Sequence, residues 1–195
     1  MPAVAVQRLS YADYLALEAT SEQRHEFCEG MVLAMAGGTM AHAKVKVNLT
    51  GLMFAALRGR PCQPYDSDQR IRVAATSLAT YPDLSVVCGR REPDAEDPHA
   101  AVNPTVLFEV SSTGTAAYDR GERFEHYRRI PTLRQYVLVE STRAHVDVFS
   151  LNAAGLWELR EYGPGSVVAL GSVGIEVAVD DLYEGWEPDP PVATS

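Results

Sequence analysis

Tyr81-Pro82-Asp83-Leu84-Ser85-Val86-Val87 and Thr105-Val106-Leu107-Phe108-Glu109-Val110-Ser111 are the two stretches whose reading decides the fold. In each, a carboxylate stands at one end of a short apolar run, the composition of a buried strand. Side by side in a sheet, two such strands bring Asp83 and Glu109 to one place. Carboxylates held that way can bind a hard divalent cation through oxygen and leave coordination positions for water and a phosphate oxygen. Metal-assisted phosphodiester hydrolysis requires that arrangement. The plainer alternative makes Asp83 a turn residue entering its strand after proline, and Glu109 an exposed strand position.

Outward from these strands the order is mixed α/β. Ser10-Tyr11-Ala12-Asp13 has the form of a capping box opening a short helix through about Glu18. Arg24 to Glu29 leads into a strand at Met31-Val32-Leu33-Ala34-Met35, which Gly37-Gly38-Thr39 breaks. Ala41, Val45, Leu49, Leu52, Met53 and Ala56 recur at helical spacing, and Arg58-Gly59-Arg60-Pro61 stops that helix. Strands are expected over 69–73, 84–88 and 105–110, with a charged, proline-containing surface loop over 89–104. A helix over 118–129 is stopped before Pro131, and strands follow at 135–140, 145–150 and 157–162, the last two joined as a hairpin through 151–155.

Composition narrows the class. At 195 residues, 46% hydrophobic and 22% charged, the chain fits one domain, over 1–186, with 187–195 as a disordered tail. No apolar stretch is long enough to span a bilayer, and the N-terminus has neither the charged start nor the cleavage site of a signal peptide. Cys28, Cys62 and Cys88 are odd in number and form no C-x-x-C pair, so reduced thiols, a cytoplasmic setting and no zinc cluster are expected. The net charge of −9 excludes a protein that coats nucleic acid through its overall field. Arg120, Arg123, Arg128, Arg129 and Arg134 nevertheless gather in one segment and give a local basic face or, more blandly, a solvated helix surface.

In the order strand, carboxylate, strand, carboxylate, helix, the chain resembles the PD-(D/E)XK nuclease superfamily, and within it the Uma-type restriction endonuclease family. The resemblance runs from about Leu9 to Trp186 and is carried by Arg24-His25-Glu26-Phe27-Cys28-Glu29-Gly30, Met35-Ala36-Gly37-Gly38-Thr39-Met40-Ala41-His42 and Asp68-Gln69-Arg70-Ile71-Arg72-Val73. Beyond these it rests on Tyr81-Pro82-Asp83, Phe108-Glu109-Val110-Ser111-Ser112, Tyr118-Asp119-Arg120-Gly121-Glu122 and Tyr127-Arg128-Arg129-Ile130-Pro131. It implies a restriction-endonuclease-like mixed sheet flanked by helices, with C-terminal hairpin strands. It also implies a magnesium or manganese ion on Asp83, Glu109 and the Val110 carbonyl, with Glu26 as an additional acidic residue and DNA as substrate.

The superfamily lysine is missing. Its position two residues after the glutamate is Ser111, and the place to which the family moves it, on the following helix, is Arg123. An arginine can hold a phosphate and stabilise negative charge but is a poor general base. Asp119, four residues earlier, can hold its guanidinium. The chain's two lysines, Lys44 and Lys46, could substitute in space, although exposed helix charge is the plainer reading, as helix capping or packing is for His42. The expectation is a metal-dependent endonuclease, paired as a homodimer through the 145–162 hairpin. The competing expectation is a nuclease-fold protein without catalysis that acts as a binding or regulatory dimer. A hydrolase of small phosphate esters is a third.

Overall fold

Residues 8–35 and 37–190 are described by the computed structural model. Its architecture follows from where the apolar residues must go. Helix α1 (Tyr11–Glu18) starts at Ser10, whose side chain accepts from the Asp13 N–H while the Asp13 carboxylate accepts from the Ser10 N–H. A hairpin of β1 (His25–Cys28) and β2 (Met31–Ala34) follows. Its two-residue turn, Glu29-Gly30, has φ of 48° and 89°, the backbone that a tight hairpin needs and that glycine supplies without strain. Helix α2 (Met40–Leu57) is next, capped by Thr39, which accepts from the His42 N–H.

After α2 come β3 (Cys62–Asp66), β4 (Ile71–Val73), β5 (Leu78–Thr80), β6 (Leu84–Cys88) and β7 (Val106–Ser111). The predicted helix over 118–129 is real but irregular, running as α3 (Ala116–Tyr118), a π segment (Asp119–Arg123) and α4 (Phe124–Tyr127). The chain ends with β8 (Gln135–Glu140), β9 (Val146–Leu151), β10 (Trp157–Tyr162), β11 (Val167–Leu170), β12 (Ile175–Ala178) and α5 (Val179–Leu182).

The main sheet has the order β10-β9-β8-β7-β6-β3, and only β7 and β8 run parallel, joined by the α3–α4 crossover. A smaller sheet, β2-β1-β5-β4, stands beside it, and β11 pairs with β12. Alternation along β7 sorts its residues between two cores. Val106, Phe108 and Val110 join Val45, Leu49, Met53 and Leu57 of α2 in one cluster. Leu107 joins Tyr127, Tyr136 and Leu138 in the other, and Glu109 belongs to that second face, where an acid is unexpected.

The mixed α/β class and the C-terminal hairpin strands agree with the sequence reading. The cysteines do not. Cys62 and Cys88 stand opposite one another where β3 pairs with β6 and are joined as a disulfide, leaving Cys28 buried and free. The expectation of three reduced thiols failed because β3 was not foreseen; Pro64 lies inside it, and proline argues against a strand unless the strand lies at a sheet edge, as this one does. No helix among the described residues is long and apolar enough to cross a membrane. Of the expected tail, 187–190 carry no regular structure, with the Asp189 carboxylate accepting from the Ala41 N–H, and 191–195 lie outside the described residues, as do residues 1–7.

Candidate active site

Pairing between β6 and β7 stops at Leu84 and Phe108. One residue further, at Asp83 and Glu109, the two strands part. Where the ladder ends, the Val110 N–H would be left without a strand partner on that side. Instead it donates to Asp83 Oδ2 at 2.8 Å. The fork thus fixes Asp83 by a backbone hydrogen bond and sets both carboxylates on adjoining strands.

Helix α2 brings a lysine and a histidine to the same aspartate. Lys46 Nζ lies 3.0 Å from Asp83 Oδ1, and His42 Nε2 lies 3.3 Å from Oδ2. They are four residues apart and share a helix face. Gly38, just before the helix, makes room for this: a Cβ there would collide with the His42 ring. The capping expectation for His42 is met only by its backbone, since its ring reaches the candidate ligand. Lys46 is not solvated helix charge either, whereas Lys44 turns to Asn48 at 3.1 Å.

Glu109 is tied from the opposite side. Its Oε1 accepts from Arg123 Nη1 at 2.8 Å and from the Tyr127 hydroxyl at 2.7 Å. Arg123 also reaches Glu26 Oε2 at 3.1 Å and Asp119 Oδ1 at 3.1 Å, and its guanidinium lies over the Tyr118 ring. Glu26 is buried in β1 and accepts from Thr80 Oγ1 and from the Tyr118 hydroxyl, each at 2.6 Å. One arginine therefore ties Glu26 of the small sheet to Glu109 of the large one. The π segment that carries Asp119 and Arg123 widens the helix by one residue per turn, a feature often found at functional sites.

The electrostatics of the two carboxylates diverge. Burial pushes the Glu109 carboxyl up to about 7; Arg123 opposes this, and the Asp83 and Asp119 charges reinforce it. Burial also works against ionisation of Asp83, but the hydrogen bond and charge of His42, then Lys46 and the Val110 N–H, outweigh it and hold that carboxyl below its ordinary value. Asp119 is raised by burial, with Arg123 opposing.

The fork lines a cleft of about 820 Å³ together with Arg24, Glu26, Ser112, Thr115, Tyr118, Asp119 and Arg123. Its donors suit a hard cation. They are carboxylate oxygens of residues at the ends of two strands; of the two Glu109 oxygens only Oε1 is hydrogen-bonded among the described residues, so Oε2 is left for a ligand.

A second group, Glu140, His145 and Asp147, brings potential ligand atoms together at the turn between β8 and β9. Arg120 pairs with both carboxylates and Arg143 with Glu140, so the cluster is neutralised as it stands and locks the crossover helix to the sheet.

The structure brings together Asp83, Glu109, Val110, Glu26 and Arg123, all singled out in the sequence. It adds Tyr118, Tyr127 and Thr80, which sequence reasoning missed. Tyr127 read as a core aromatic, and it is fully buried; its hydroxyl partner lies on another element, and no local spacing announces it.

Comparison with known proteins places the chain in a family. Residues 11–180 match the Uma2 family model, described as "Putative restriction endonuclease". The "Uncharacterized protein slr1290" of Synechocystis sp. (strain ATCC 27184 / PCC 6803 / Kazusa) is 35% identical over 184 residues, covering 94% of this chain and 96% of that one. The "Uncharacterized protein sll1609" of the same organism is 29% identical over 153 residues, 78% of this chain and 86% of its own. Among solved structures, "a putative nuclease belonging to DUF820" from Anabaena variabilis ATCC 29413 superposes with a TM-score of 0.70 at 15% identity, over 84% of this chain and 92% of that one, which establishes a shared fold.

Proposed function

The chain belongs to the Uma2 family, and on that premise we propose that it is a divalent-metal-dependent endonuclease that hydrolyses phosphodiester bonds in DNA. The observation that carries this reading is the strand fork, which presents Asp83 and Glu109 in one cleft with cationic side chains on both flanks.

Asp83, Glu109 and the Val110 carbonyl would hold magnesium or manganese. Such an ion, when bound, lowers the pKa of its water and stabilises the charge that develops on the phosphoryl oxygens. The remaining work falls to the chain. His42, Lys46 and the Val110 N–H keep Asp83 ionised and ready to bind. Arg123, buried among Glu26, Glu109 and Asp119, orients carboxylates; its fork is already engaged, so it is a positioning residue more than a clamp on the scissile phosphate. Lys46 is the cation in the cleft best placed to meet that phosphate, standing in for the lysine absent at Ser111. A metal at the fork and Lys46 beside it offset locally a net charge of −9 that would otherwise repel DNA.

One observation favours the second reading, a nuclease-fold protein that binds without cutting. Asp83 already pairs with Lys46 and His42, and Glu109 with Arg123, a set that is largely satisfied without a metal. Calorimetric titration with manganese, paired with a plasmid-nicking assay, separates the two. Metal binding and nicking that are both lost in Asp83→Asn support the enzyme, with Lys46→Ala expected to keep the metal and lower nicking by about a hundredfold. Metal binding without nicking supports the second reading. No metal binding in the parent protein refutes the site assignment.

A further inference from the structure

Helix α2 is apolar on the side where a helix lying on a sheet should be polar. Ala41, Val45, Leu49, Met53 and Leu57 face the core. At about 100° per residue, Met40, Ala43, Val47, Gly51 and Phe54 fall on the opposite side. All five are exposed; Met40, Val47 and Phe54 are 87%, 61% and 62% accessible. An amphipathic surface helix would place charge there. Instead α2 contains no acidic residue, in a protein of net charge −9. Its two lysines are used elsewhere, Lys46 at Asp83 and Lys44 against Asn48. An apolar helix face of this kind needs a partner.

The spacing suits a second copy of the chain as that partner. The stripe advances by three, four, four and three residues, a sequence that reads the same in both directions about Val47. A two-fold axis at Val47 would pack α2 antiparallel against its own copy, placing Val47 on Val47, Ala43 on Gly51 and Met40 on Phe54. The small residues would let the helices approach next to the centre, and the two large side chains would meet at each end. A self-complementary patch is what an isologous dimer requires. The stripe carries no charge to oppose its copy. We infer that the outward stripe of α2 is the interface of a homodimer. The hairpin expected to serve this purpose is less suited: its edge strand β10 bears Glu158, Arg160 and Glu161, the charge pattern that keeps sheet edges from pairing. An 18-residue helix is about 27 Å long, at the small end for a stable interface, so the dimer should exchange in the micromolar range.

This inference does not depend on the nuclease reading, since its readout is mass and not activity. Light scattering and sedimentation across the micromolar range should show a dimer of the parent protein. Val47→Glu, which would place two like charges on the axis, should raise the dissociation constant about tenfold or more. Leu159→Glu on the hairpin should not. All these positions are exposed, so circular dichroism should confirm an unchanged fold. Val47→Cys should cross-link to itself under mild oxidation, whereas Met40→Cys and Phe54→Cys should cross-link only when mixed. A monomeric parent, a Val47→Glu dimer of unchanged affinity, or dissociation caused by Leu159→Glu would overturn the interface. Cross-linking by each single-cysteine variant alone would overturn the antiparallel arrangement.

Discussion

Replacing Glu109 with glutamine tests whether burial has set the chemistry of the fork. The ordinary glutamate value is 4.5, and burial, with Asp83 and Asp119 nearby, raises the folded value to about 7 despite Arg123 and the Tyr127 hydrogen bond. The native state therefore holds a proton that the unfolded chain has released between those two values, and stability falls as pH rises across that window. At 1.36 kcal/mol per pH unit, the metal-free parent should lose about 3 kcal/mol of stability relative to Glu109→Gln. The amide keeps the acceptor for Arg123 and Tyr127 and does not titrate, so its own curve should lack this component. Other groups titrate in both proteins and cancel in the difference. Urea unfolding of both, without metal, at steps from pH 4.5 to pH 8 measures it. The variant should gain on the parent steadily up to neutrality and hold that lead above it. Parallel curves would refute the claim that Glu109 is held protonated by its surroundings.

Asp83→Asn and Glu109→Gln should each abolish manganese binding in calorimetry while the fold persists, because each removes one of two charged oxygen ligands. Arg123→Lys should lower thermal stability and any nuclease rate together: an ammonium cannot span Glu26, Glu109 and Asp119, and carboxylates left buried and unpaired cost about 3–5 kcal/mol. A lysine variant that is both stable and faster would show that the position wants a proton donor and not a fork. Reduction of the Cys62–Cys88 disulfide, which closes a span of 26 residues, should cost about 3 kcal/mol on chain-entropy grounds, measurable by urea unfolding with and without dithiothreitol.

Much of this was legible in the sequence because it was local. The apolar runs beside Asp83 and Glu109, the Ser10 cap and the core stripe of α2 each announce themselves within a few residues. What was missed depends on distant partners. Lys46 and Lys44 look alike in sequence, but they project about 200° apart around α2, and only the packing of that helix decides which of them meets Asp83. Strand β5, Leu78–Thr80, is three residues long and too short for any periodicity, yet its Thr80 holds Glu26. The disulfide was hidden by the same proline that hid β3. The outward face of α2 was visible all along, but a helix that is apolar on both sides gives no sign of which side is the core.

Arg123 binds Glu26 and Glu109, which lie far from each other in the chain and belong to different sheets. Bringing β1 and β7 to one arginine closes a long loop before any site contact can repay the lost chain entropy, so these contacts are expected to form late in folding. During synthesis, a ribosome-bound chain that has exposed only its first seven strands has Asp83 and Glu109 but lacks Arg123 and Tyr127, which come from the next helix. Nothing yet orients its Glu109 or links the two sheets. The fork becomes competent only when the crossover helix docks, which delays any activity until the domain is nearly whole.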